Sequence, residues 1–198
     1  MRKIKAFYSI VLVIASMTVF SLIPEVTRAY TPTSEDIEFM EWMMETSIKI
    51  TDDFRLIDDE LNKGVFGCDW EYLKTLHKLL YDHAETALNE IDEFEVSSEL
   101  KPIKKEYKLH LIDTKWAAYY GKEAAEDHLS GDFEGAVDNI EKSIEYLGSS
   151  NAHLEKAMAL IEALPTPSPT PTPRSFEAIF AISSLLAVVY LMLRKRIE

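Results

Sequence analysis

Apolar positions recur every three or four residues through most of the chain, a period that predicts helices rather than strands. The first such stretch covers 35–61. Thr33 or Ser34 is placed to cap it, and Glu35, Asp36 and Glu38 suit the positive end of a helix dipole. Its apolar face reads Ile37, Met40, Met44, Ile48, broadened by Phe39, Met43, Ile50, Phe54, Ile57 and Leu61; Asn62-Lys63-Gly64 ends it. A second stretch, 70–94, follows Asp69 as cap, with the stripe Leu73, Leu76, Leu80, Ala84, Ala87, Ile91, Phe94. A third, 99–129, follows Ser97-Ser98 and carries Pro102 in its first turn, where proline is tolerated. Its stripe is Leu100, Ile103, Tyr107, Leu111, Thr114, Ala118, Gly121, Ala125. The fourth begins after Gly131-Asp132. Phe133, Val137, Ile140, Ile144, Leu147 and then Leu154, Met158, Ile161 stay in register across Gly148-Ser149-Ser150-Asn151, so one long helix is expected.

The connections between these stretches are short, which makes consecutive helices antiparallel neighbours. The predicted fold class is all-α: an antiparallel up-down four-helix bundle spanning 31–164, with an additional helix at each end of the chain.

The two ends break the amphipathic pattern. Residues 6–23 are apolar apart from small hydroxyls, behind a basic start of Arg2, Lys3 and Lys5, and Pro24 closes the run. Thr27-Arg28-Ala29 offers a small residue for cleavage after Ala29, so 1–29 reads as a signal peptide. Pro-Thr-Pro-Ser-Pro-Thr-Pro-Thr-Pro at 165–173 forbids helix and sheet. It opens a stalk at 165–175, expected to be polyproline II with a reach of roughly 28 Å. Phe176 to Leu193 is an 18-residue apolar run with one charge, Glu177, just long enough to cross a bilayer. Arg194, Lys195 and Arg196 follow in a basic tail, 194–198. The positive-inside rule then puts both basic ends in the cytoplasm and the middle outside the cell.

Charge changes the picture further. The net charge is −13, but between Thr31 and Leu164 there are 31 acidic side chains against 13 basic ones, a net of −18. Such a domain repels nucleic acid and anionic headgroups, so nucleic acid is not expected as a partner. Cys68 is the single cysteine, which excludes an internal disulfide and Cys-based metal sites. None of the five histidines follows a glutamate by three residues and no two are spaced i, i+4, so di-iron and zinc helix motifs are missing. Asp52-Asp53 and Asp58-Asp59-Glu60 lack the glycine of a calcium loop and read as a solvated helix face. No catalytic, cofactor-binding or metal residues are therefore assigned, no cofactor is expected, and an enzyme is not expected. The aromatic side chains are numerous for a bundle. Trp116, Tyr119 and Tyr120 would line a ligand cleft between helices, if one exists.

The tail carries a resemblance. A Thr/Pro stalk, then Pro173-Arg174-Ser175-Phe176-Glu177-Ala178, a short apolar helix and a basic end resembles the PGF-CTERM sorting signal of archaeal surface proteins. The resemblance implies export, cutting beside Pro173 and Phe176 by an archaeosortase, and anchoring at the cell surface close to surface-layer proteins. Arg174-Ser175 stand where that family has its glycine, so slow or absent cutting is expected. The function expected of the helical domain is a structural or protein-interaction role at the cell surface; the alternative is a ligand-binding or sensing ectodomain with an aromatic-lined cleft between helices.

Overall fold

A computed structural model describes residues 30–64 and 66–165. The described chain forms four long helices: α1 (Ser34–Leu61), α2 (Trp70–Glu90), α3 (Lys101–Ser130) and α4 (Phe133–Glu162), with a 3-10 turn at Ile91–Glu93 after α2. No strand occurs among the described residues. The predicted signal helix 1–29 and the segment 176–193 lie outside them, as does all but the first residue of the stalk. Among the described residues, no helix is long and apolar enough to cross a membrane.

The helix ends follow from local chemistry. Thr33 Oγ1 accepts from Asp36 N while the Asp36 carboxylate accepts from Thr33 N, a reciprocal capping box at the start of α1. Asp69 caps α2 through Tyr72 N, and Asp132 caps α4 through Gly135 N. Gly131, at φ 86°, ends α3 in the left-handed region that a side chain would strain. The α4 helix runs unbroken through Gly148-Ser149-Ser150-Asn151, as its register predicts.

Contacts between ends establish direction. Trp42 Nε1 near the start of α1 donates to Glu90 at the end of α2, and Asp69 N at the start of α2 donates to Glu60 near the end of α1. Lys108 and Lys115 of α3 meet Asp92 and Glu85 in reverse order. Asn139 and Ser149 of α4 meet Asp127 and Asp113 of α3 likewise. Consecutive helices are thus antiparallel.

The stripes of α2 and α3 are buried as read, except that Phe94 is only half-buried. One end of the core is aromatic: Trp42 and Phe94 rings lie 5.1 Å apart, Phe39 and Phe94 5.6 Å. Buried beside them, Tyr107 donates to the Met43 carbonyl and shares a hydrogen bond with Ser47. Leu154, Met158 and Ile161 of α4 join the same core as Phe39 and Met40.

Two expectations need correction. In α1, Ile48 and Leu61 are exposed, whereas Asp53 and Glu60, read as part of a solvated face, are buried. Each acid is buried because it is satisfied: Asp53 meets His83 Nδ1 at 2.6 Å, and Glu60 accepts from Lys63 and from Asp69 N. In α4, the first half of the stripe lies outside the core. Phe133, Val137, Ile140 and Ile144 are 62, 54, 39 and 63% exposed.

The α4 correction has a packing cause. Small residues Ala136, Ser143, Ser150 and Ala157 repeat every seven positions and form the seam onto α3. Ser143 Oγ donates to the Ala117 carbonyl, and Ser150 shares hydrogen bonds with Thr114 and His110. Small side chains permit the closest helix approach. The larger apolar stripe, turned roughly 40–100° around the axis at 100° per residue, is left on the flank. In the second half of α4 the core covers that flank; in the first half the His128 ring meets Phe133 at 5.2 Å, and Val137, Ile140 and Ile144 stay exposed.

Candidate interaction surface

Trp116, Tyr119 and Tyr120, spaced i, i+3, i+4, share one side of α3 and are brought together. Tyr146 of α4, which sequence reasoning missed, completes the group. Trp116 to Tyr146 is 6.3 Å between ring centroids, Tyr120 to Tyr146 5.6 Å and Tyr119 to Tyr120 5.2 Å. The group is an outer ridge: Trp116 is exposed and the three tyrosines are half-buried. Lys142 sits 5.2 Å over the Tyr120 ring and Lys122 5.6 Å over that of Tyr119, so the chain's own cations occupy these faces. Tyr119 also borders a groove of about 280 Å³ with Lys78, Tyr81, Asp82 and Lys122.

Buried polar groups lie between the helices and serve packing. His110, buried, shares a hydrogen bond with Ser150 Oγ at 2.8 Å; burial pushes its imidazole down to about 4. His77 is pushed down to about 4 by burial alone, and its Nδ1 finds no partner among the described residues. Glu106 takes Lys156 at 2.7 Å and His153 at 2.8 Å, and these partners hold its carboxyl below the usual range. Burial raises the pKa of the half-buried Cys68 thiol above its ordinary value. Among the described residues, no three His, Cys, Asp or Glu side chains are placed to hold a metal ion.

The third feature is apolar. The exposed apolar residues of α4 form a strip along one flank of the helix, on a domain that is acidic overall, and Leu129 at the end of α3 is exposed as well. A signal for it was present in the sequence: the seven-residue series of small residues marks the α3 seam, and the larger series runs beside it.

Ala29, Pro173 and Phe176 lie outside the described residues, and the sequence comparisons bear on the tail alone. Residues 176–195 match the PGF-CTERM motif. The motif is a C-terminal sorting signal, and it marks a membrane-anchored cell-surface protein. The chain matches no curated protein and no solved structure. The PGF-CTERM match therefore concerns anchoring and says nothing of what the helical domain does.

Proposed function

We propose that the chain is a membrane-tethered surface module, exported by its N-terminal segment, whose helical domain acts through protein contacts and has no catalytic chemistry of its own. In this reading 31–164 is an up-down four-helix bundle outside the cell. The Pro/Thr stalk holds it off the membrane, and an archaeosortase and surface-layer or other surface proteins are its partners. The observation that carries the reading is the PGF-CTERM tail together with the apolar strip. An anchored domain with an apolar strip exposed among the described residues is suited to contact with another macromolecule.

A ligand-binding role has less behind it, because lysines of the chain cover the tyrosine faces that a stacked or cationic ligand would take.

The test is labelling of intact cells with a membrane-impermeant lysine reagent. Modification within 31–164, in protein that stays with the membrane fraction through a high-salt wash, is expected. Labelling only after lysis overturns the surface reading.

A further inference from the structure

The exposed strip of α4 has the spacing of a coiled-coil seam. From Phe133 the apolar series advances by four, three, four and three to Val137, Ile140, Ile144 and Leu147, and a further step of four reaches the polar Asn151. A step of three runs from a to d and a step of four from d to a, so the register has one solution. Val137, Ile144 and Asn151 are a positions; Phe133, Ile140 and Leu147 are d positions. β-Branched residues at a favour two parallel strands where leucine fills d, as Leu147 does, and a single asparagine at a fixes register and pairing. Phe133, Val137, Ile140 and Ile144 are exposed, while Leu147 and Asn151 are half-buried. The next members of the series, Leu154 and Met158, are already inside the domain's own core.

Resting on the reading of an anchored contact module, we infer that this strip pairs with the same strip of a second copy, as a parallel two-stranded coiled coil.

Charge favours the parallel arrangement. The flanking g positions are Ala136, Ser143 and Ser150, and the e positions are Glu134, Glu141 and Gly148. Parallel pairing sets e beside g, and the g residues, turned onto α3, carry no charge, so no glutamate opposes another. Antiparallel pairing sets e against e and opposes glutamates. The tether acts in the same direction. Copies anchored through 176–195 present α4 in one orientation and at one height, which suits a two-fold axis along the membrane normal. The seam lies roughly 15–45 Å along α4 from its C-terminal end. It spans under three heptads, short of the three to four a sustained coiled coil shows, so confinement on a membrane supplies the effective concentration that length does not.

Cross-linking of the full chain in phosphatidylcholine vesicles tests this. With Cys68 replaced by serine, Val137→Cys and Ile144→Cys are each expected to give a homodimeric disulfide under mild oxidation. Glu145→Cys, off the seam, stays monomeric. Adding Ile144→Asp to Val137→Cys sets two carboxylates face to face and lowers the cross-linked fraction about tenfold. Ile144 is mostly exposed, so the fold survives these changes, and circular dichroism verifies that it does.

If the protein floats with the vesicles and neither seam cysteine cross-links, the dimer is overturned and the anchored reading stands. Cross-linking at only one of the two positions indicates an antiparallel seam and also overturns the proposal. Protein that fails to float contradicts the anchored reading instead.

Discussion

Gly121 illustrates how single residues set the fit between α2 and α3. A Cβ at that position meets the His77 ring at 2.2–2.7 Å. Gly121→Ala should therefore destabilise the domain by about 1–3 kcal/mol, the usual cost of overpacking. His77→Ala in the same chain should recover part of that loss, read as non-additive shifts in a denaturant melt. His77 and His110 also predict a pH dependence. Both are held near 4 in the folded domain, against about 6.5 in the unfolded chain. Between those values the unfolded state binds more protons, so stability falls as pH drops from about 6.5 towards 4, by up to roughly 3 kcal/mol for each imidazole. Asp36 acts in the same direction but only below its ordinary value of 3.8, beneath this window. Burial alone would raise its carboxyl, but the Ser97 and Thr33 amides and the Tyr30 hydroxyl hold it below its ordinary value. Asp53 opposes, because burial raises it despite His83. Thermal melts at pH 7 and 4.5 check the sign. His77→Leu, which removes an imidazole lacking a hydrogen bond at Nδ1, should flatten the profile.

At the scale of elements, α2 and α4 make opposite predictions for the same substitution. Leu80 of α2 is fully buried. Leu80→Asp buries an unpaired carboxylate, a cost comparable with the whole stability of about 5–15 kcal/mol, and should unfold the domain. Ile144→Asp, on the open flank of α4, should leave the melting temperature of the monomer nearly unchanged. The two sites were indistinguishable by period alone, since both belong to regular apolar stripes. Asp36 shows how an element boundary is fastened. It accepts from Thr33 N, from Tyr30 OH and from Ser97 N across the loop before α3. Asp36→Ala leaves those donors without their acceptor and should cost at least about 2 kcal/mol in urea unfolding.

For the whole molecule, the four helices need only one another to bury their shared core, so 31–164 should fold as a soluble helical unit. Circular dichroism with substantial strand signal, or a non-cooperative melt, would contradict that. The tail makes its own prediction. Arg174-Ser175 replace the flexible glycine at the expected cut, so slow processing should leave the tryptic peptide Ser175–Arg194 in part of the mature surface protein. Its complete absence, with a modified terminus near Pro173, would show that the glycine is dispensable.

Helix positions, caps and the tail signal were legible in the sequence because they depend on neighbours within a few residues. Thr33, Asp69 and Asp132 cap through amides three positions away, and Gly131 turns its own backbone. The PGF-CTERM motif is likewise contiguous. Which stripe faces inward depends on distant chain. The burial of Asp53 required His83, thirty residues on, and that of Asp36 required Ser97. The α4 stripe shows the limit most clearly. Hydrophobic period states that Phe133, Val137, Ile140 and Ile144 share a face, but closeness of approach decides which face packs. That was settled in the tertiary structure by the small residues Ala136, Ser143 and Ser150 lying against α3.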